Sequence, residues 1–219
     1  MNSEGAMSVA CVVLAAGEGK RLGLRKQFIE IHGKPLFMYS VEKALKLFDE
    51  VILVLPKDTL SRVSVPRGIK KVEGGKERQD SVLNGILETE AEVVVIHDSA
   101  RPLAGEEMFR EVATLGNYDG KIVAVPSRDT LKEVSSETIL KTIDRSHIWL
   151  AQTPQAFKRK VLIECHFRAR NEGFYGTDDA SLLERFGYRV GVVMGSYWNV
   201  KLTYREDIPF IERLLAKEV

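Results

Sequence analysis

The stretch VACVVLAAGEGKRLGLRKQF, residues 9–28, decides how the rest of the chain reads. Val9–Leu14 is a short apolar run rich in β-branched side chains, which suits an inner strand of a parallel sheet covered on both faces. Ala15, Ala16, Gly17 and Gly19 follow with little or no side chain, so backbone N–H groups there can come close to a ligand and face phosphate oxygens. Lys20, Arg21, Arg25 and Lys26 lie within reach. A buried strand ending in small residues and then cations predicts a polyphosphate site at the carboxyl edge of an α/β sheet. The spacing excludes two familiar loops. Gly17 is followed by Glu18, Gly19, Lys20 and Arg21, which is not a Walker A loop, and Leu22 stands where a dinucleotide loop needs its third glycine. A tight turn with solvated cations is the competing account, and the concentration of cations directly after a buried strand favours phosphate.

Further along, Phe37, Val41, Ala44, Leu45 and Phe48 recur at helical spacing and predict a helix with one core face. Residues 51–55, 70–72, 92–96 and 121–125 predict strands that alternate with helices, the pattern of a parallel sheet. Gly74 and Gly75 fall between the 70–72 strand and a helix beginning near Glu77. A glycine pair there lets the backbone read a flat ring edge, with Ser81 one turn into the helix on the same side; a mere strand-to-helix turn is the alternative. HDSARP ends the 92–96 strand and brings His97, Asp98 and Arg101 to the carboxyl edge. Asp98 could hold a substrate hydroxyl or a magnesium water, and Arg101 could clamp a phosphate; an Asp98–Arg101 ion pair competes with both.

The alternation breaks over residues 126–153. Segments 131–134 and 139–143 alternate around the polar turn SSET and predict a β-hairpin with too few apolar residues for a core of its own. Such an arm needs support, either from its own chain or, more economically, from a partner subunit. Residues 158–172 predict a helix, and Thr177 is the expected N-cap of the next, with Asp178 and Asp179 compensating its dipole. Metal binding by those adjacent acids is the costlier reading. A strand over 189–194, a short extended piece carrying Lys201, and a helix with Ile208, Ile211, Leu214 and Leu215 on its buried stripe complete the chain.

With 219 residues, 44% hydrophobic and 29% charged, the chain has the composition of a soluble globular protein, and we expect one α/β domain. Lys plus Arg, 32, nearly cancels Asp plus Glu, 31, so no global basic field points to nucleic acid or an anionic membrane. No apolar run approaches the roughly 20 residues that span a bilayer. Cys11 and Cys165 stand alone without a secretory segment, which predicts buried thiols in a reducing cytoplasm. The four histidines show no zinc-ligand spacing, and no structural metal is expected. Residues 1–7, MNSEGAM, read as a frayed, tag-like terminus.

The motifs LAAGEGKRL, KQF, the segment EGGKERQDSVLNGI, HDSARP, DTLK, DR, QTPQ and KLT together resemble the 2-C-methyl-D-erythritol 4-phosphate cytidylyltransferases, from about Ser8 to the end of the chain. The resemblance implies a Rossmann-like nucleotidyltransferase domain with a mostly parallel sheet and an extended β-hairpin arm. It implies transfer of CMP from CTP to methylerythritol phosphate, with Mg²⁺ held mainly by CTP oxygens and no protein metal cage. Catalysis falls to Arg21, Lys26 and Lys201. Nucleotide binding falls to Ala15, Ala16, Gly17, Gly19, Gly75, Lys76, Arg78 and Ser81, and sugar-phosphate binding to Asp98, Arg101, Thr130, Arg145 and Thr153. In that family the arm reaches across a homodimer. The chain departs from the pattern in a short 21–26 loop, in Arg25 where proline is usual, and in Tyr204 where arginine is common after KLT. A ribitol-5-phosphate cytidylyltransferase and a catalytically silent nucleotide-binding regulator are the rival readings. The DTLK, DR and TDDAS elements favour methylerythritol phosphate over ribitol phosphate, and the retention of Arg21, Lys26 and Lys201 disfavours a silent regulator.

Overall fold

A computed structural model describes residues 7–19 and 22–216. Arg21, Lys20 and residues 1–6 of the terminal segment therefore lie outside the described residues. The elements in chain order are β1 (Val9–Leu14), β2 (Glu30–Ile31), β3 (Lys34–Pro35), α1 (Leu36–Leu47), β4 (Glu50–Leu55), β5 (Ile69–Glu73), α2 (Arg78–Ile86), β6 (Val93–Asp98), α3 (Glu106–Ala113) and β7 (Gly120–Pro126). They continue as β8 (Leu131–Ser135), β9 (Thr138–Ile143), β10 (Trp149–Lys158), α4 (Arg159–Asn171), α5 (Asp179–Arg185), β11 (Val190–Met194) and α6 (Asp207–Leu215). Short 3₁₀ turns cover Lys26–Phe28 and Lys57–Thr59.

Seven strands form one sheet in the order β11-β7-β10-β6-β1-β4-β5. Every neighbouring pair is parallel except those made by β10, which runs antiparallel to both β6 and β7. The mostly parallel α/β sheet expected from the sequence is thus observed. Alternate residues of β1 feed two cores, as its period of two requires. Ala10, Val12 and Leu14 pack with Val82 and Ile86 of α2, Leu162 of α4 and Leu182 of α5. Cys11, Val13 and Ala15 pack on the other face with Phe37 and Val41 of α1 and Phe109 and Val112 of α3. A smaller cluster joins Ile31, Leu36 and Leu202 to Ile211 and Leu215 of α6, whose apolar stripe is the expected one. Both cysteines are buried and free.

The chain passes from β1 outward to β4 and β5 and then returns to place β6 on the opposite side of β1. Leu14 and Asp98, the last residues of β1 and β6, stand side by side in register. That reversal opens a crevice at the carboxyl ends of the two strands, where ligands of open α/β sheets bind.

Two readings from sequence need correction. Residues 149–153 do not belong to the hairpin. Trp149, Leu150 and Ala151 pair with β7, and Thr153 lies within β10, inside the sheet. The run Gln152 to Gln155 looks like loop because it is polar and contains Pro154. Its side chains are nevertheless buried, and a register irregularity between Ala151 and Gln155 accommodates a residue that has no N–H to give the ladder. Second, Asp178 and not Thr177 caps α5, its Oδ1 accepting from the Ser181 N–H at 3.0 Å. Asp179, the first helical residue, pairs with Arg78 and does not merely offset the dipole.

The hairpin itself is as read: among the described residues β8 and β9 pair only with each other, through a turn whose Ser136 and Glu137 both have positive φ, 45° and 67°. Nearly all of its residues are exposed, including Val134, Ile139 and Leu140.

Candidate active site

The crevice is a cleft of about 560 Å³ with three walls. The first is the loop leaving β1: Ala15, Ala16, Gly17, Glu18 and Gly19 line it, followed by Leu22, Lys26 and Gln27. The loop is held from below. Buried Gln27 donates from Nε2 to the Gly17 carbonyl at 3.0 Å, which gives the KQF element a structural task that sequence reading missed. Gly19 has φ 67°, and a Cβ there would run into the Leu24 carbonyl, so no other residue fits. Arg25 grips Asp58 with one nitrogen at 2.9 and 2.8 Å and reaches Glu18 at 3.5 Å, tethering the loop where proline was expected.

The second wall is the turn from β5 into α2, with Gly75, Lys76, Glu77, Arg78 and Ser81 in the lining. Ser81 shapes this turn: its Oγ accepts from the Gly75 N–H at 3.0 Å and donates to the Glu77 carbonyl at 3.1 Å. Glu77 and Asp80 form a reciprocal capping box at the start of α2.

The third wall is Asp98, Ser99 and Ala100 after β6, faced by Lys201 and Thr203. The Asp98 carboxylate takes one cation on each oxygen, Arg78 Nε on Oδ1 at 3.0 Å and Lys201 Nζ on Oδ2. Burial opposes its ionisation, but Arg78 and Lys201 outweigh burial and hold it well below the ordinary carboxylate range. Arg78 donates its Nη1 to Asp179 at 2.9 Å. Burial works against the Arg78 charge, yet Asp179 and Asp98 together raise its pKa. Burial pushes the Asp179 carboxyl up, with Arg78 pulling against it. Lys26 Nζ donates to the Leu202 carbonyl at 2.9 Å, so Lys26 and Lys201 reach the cleft from neighbouring positions. The Asp98–Arg101 side-chain pair that the sequence allowed is not the one formed.

Thr153 and Arg101 stand outside the lining. The Thr153 Oγ1 accepts from the Asp98 N–H at 3.0 Å and lies 3.1 Å from His97 Nδ1, while His97 Nε2 lies 3.2 Å from the Arg101 carbonyl. A carbonyl only accepts, so the Nε2 carries the proton and Nδ1 accepts from the Thr153 hydroxyl. Arg101 donates to the Asn199 carbonyl at 2.7 Å and to that of Ala151 at 3.4 Å. Thr130 and Arg145 are exposed on the arm and do not line the cleft of their own chain. Among the predicted residues, then, Lys26, Lys201, Ala15, Ala16, Gly17, Gly19, Gly75, Lys76, Arg78, Ser81 and Asp98 come together.

Burial lowers His97 to about 3 and His166 to about 4, so both are neutral in the folded protein. Below a pH of about 6.5 the unfolded chain binds protons that the folded chain refuses. Stability is therefore full above that pH and falls as pH drops toward the folded values, by roughly 1.4 kcal/mol per pH unit for each histidine. Urea midpoints at successive pH values will show this slope, and His166→Leu should remove about half of it. A flat profile between pH 6.5 and 4.5 would refute the neutral, buried assignment.

No helix among the described residues is long and apolar enough to cross a membrane, and no group of three or more acidic, histidine or cysteine side chains among them could hold a metal ion.

A profile of the family described as 2-C-methyl-D-erythritol 4-phosphate cytidylyltransferase matches residues 9–217. The chain is 62% identical over 207 residues to the enzyme of that name from Aquifex aeolicus, covering 94% of this chain and 97% of the relative. It is 40% identical over 228 residues to that from Shouchella clausii, covering 96% and 98%. Among solved structures, 4-diphosphocytidyl-2C-methyl-D-erythritol synthase from Anaerococcus prevotii superposes with a TM-score of 0.83 at 31% identity, covering 96% of each chain. The Thermus thermophilus cytidylyltransferase gives 0.81 at 28% identity, covering 94% of this chain and 98% of the other. With matches of this extent in both sequence and structure, the chain belongs to the 2-C-methyl-D-erythritol 4-phosphate cytidylyltransferase family.

Proposed function

We propose that this cleft is where the family's reaction takes place: CMP passes from CTP to 2-C-methyl-D-erythritol 4-phosphate, giving 4-diphosphocytidyl-2-C-methyl-D-erythritol and pyrophosphate in non-mevalonate isoprenoid biosynthesis. The observation that carries this reading is the meeting, in one crevice at the β1/β6 switch point, of two glycine-bearing loops with Lys26 and Lys201. The nucleophile explains why no catalytic base is needed. A phosphate monoester has its second pKa near about 6 and is mostly dianionic at neutral pH. Its oxygen attacks the α-phosphorus in line, the bond to the bridging oxygen breaks, and pyrophosphate leaves with that electron pair. What remains for the protein is to bring two polyanions together and meet the charge that develops.

Lys26 and Arg21 stabilise the triphosphate and the transition state, and Lys201 meets the α-phosphate or the incoming phosphate. Ala15, Ala16, Gly17 and Gly19 offer backbone to the nucleotide, while Gly75, Lys76 and Ser81 read the cytosine edge beside Arg78. Asp98 holds a substrate hydroxyl, supported by Thr153 and Arg101. The carboxylates of the cleft are already engaged, Asp98 by Arg78 and Lys201, Glu18 by Arg25, and Glu77 by the backbone at the start of α2. That donor set fits Mg²⁺ arriving on CTP oxygens and water better than a protein cage, and the ion supplies neutralisation of triphosphate charge when bound.

The whole chain acts as one cytidylyltransferase domain, residues 127–148 serving as a dimerisation arm that brings Thr130 and Arg145 to the partner's cleft. Exposed Val134, Ile139 and Leu140 on the arm, with half-exposed Leu150 at its base, support a homodimer. Two buried, reduced thiols suit a cytoplasmic protein.

Pyrophosphate release with each nucleotide tests the reading. CTP should be strongly preferred over ATP and GTP, because the backbone and hydroxyl of Gly75, Lys76 and Ser81 suit the amino and carbonyl pattern of cytosine better than a purine. Methylerythritol phosphate should be preferred over ribitol phosphate. Equal turnover with a purine triphosphate would defeat the base assignment, and faster turnover of ribitol phosphate the acceptor.

A further inference from the structure

Four charges alternate in sign from the back of the cleft to its mouth: Asp179, Arg78, Asp98 and Lys201. Asp179 is 1% exposed and absent from the lining, so it touches no ligand in the cleft. Its position is dictated from elsewhere. The preceding residue, Asp178, caps α5 through Oδ1 and accepts from Gln155 Nε2 of β10 through Oδ2 at 2.9 Å. The first turn of α5 is thereby fastened to the sheet, and Asp179 projects from it to Arg78.

We infer that Asp179, acting through Arg78, is a positioning residue that fixes where Asp98 presents the Lys201 ammonium. The inference rests on the assignment of Lys201 to the reacting phosphates. Arg78 divides its donors between two carboxylates, Nε to Asp98 and Nη1 to Asp179. Because Asp179 occupies one side of the guanidinium, Arg78 takes only Oδ1 of Asp98 and leaves Oδ2 for Lys201. A guanidinium prefers a two-pronged grip on one carboxylate. Without the Asp179 charge, Arg78 turns its fork onto Asp98 and competes with Lys201 for Oδ2. The ammonium then hangs on a flexible stem with its tether weakened. The pair also matters once phosphate draws Lys201 away, since Asp98 keeps a cation and is not left as a bare buried carboxylate. Misplacing a group that acts on developing charge costs rate more than ground-state binding.

The test is Asp179→Asn, which keeps shape and an acceptor but removes the charge. We expect kcat to fall about tenfold or more, while CTP affinity measured by calorimetry without the acceptor stays within about threefold of wild type. Unchanged kcat overturns the inference, and so does a parallel loss of CTP affinity and melting temperature, which marks a merely structural role. Should that variant fail to fold, Asp179→Ser removes the same charge with a smaller polar side chain and leaves Arg78 in place. It should bind CTP and show the same low kcat; wild-type kcat there is again fatal. Lys201→Ala reads the underlying assignment separately. If Lys201→Ala keeps its kcat, the Lys201 role is wrong. If it loses about a hundredfold while Asp179→Asn stays normal, only the Asp179 role is wrong.

Discussion

Lys26→Ala should lower kcat about a hundredfold, with a smaller change in KM for CTP. The lysine enters the cleft from the 3₁₀ turn Lys26–Phe28, whose seating is fixed by buried Gln27, and its ammonium is held at 2.9 Å by the Leu202 carbonyl beside Lys201. The Leu202 carbonyl fixes the direction of the ammonium at the cleft. Charge at the α-phosphate and on the departing pyrophosphate grows during reaction, and a donor already in position meets it without reorganisation. Arg21→Ala should behave alike, on the expectation that this residue belongs to the same loop function. Steady-state kinetics with CTP varied at saturating acceptor separate the two parameters. A change confined to KM would make Lys26 a ground-state binder and remove it from the catalytic set.

The second large effect concerns the arm. Alone, either an Arg145→Ala or a Lys26→Ala homodimer should be nearly inactive. Mixed and equilibrated, the two should recover about a quarter of wild-type activity, because half of the dimers are mixed and each has one site with both native groups under two-fold symmetry. The reasoning starts from exposure. Arg145 and Thr130 are exposed and absent from their own chain's lining, and among the described residues the hairpin they flank pairs only with itself. A two-stranded hairpin is marginal in water without a surface to lie on. Exposed Val134, Ile139 and Leu140 supply an apolar face for such a surface. If mixed dimers verified by mass show no gain over either parent, Arg145 works within its own subunit and the shared site is wrong.

Those two expectations draw on different kinds of information. The amino-acid sequence by itself determined what depends on neighbours along the chain. An apolar β-branched run followed by small residues specified an inner strand that ends in a loop open to close approach, and β1 with its cleft-lining loop is that. Alternating periods of two and 3.6 specified the parallel sheet and its helices, because each side chain's direction is set by local backbone geometry. The hairpin was legible for the same reason. Tertiary structure alone decided where buried polar groups find partners. The polar run through Gln152, Thr153 and Gln155 reads as loop until Asn199, His97 and Asp178 are brought against it, and then it is the interior of β10. Asp179 reads as a helix-cap neighbour until Arg78 arrives from 101 residues away, and Lys201 meets Asp98 across 103. Burying such groups is unfavourable unless each is paired. The pairing is a property of the folded chain, and no local pattern encodes it.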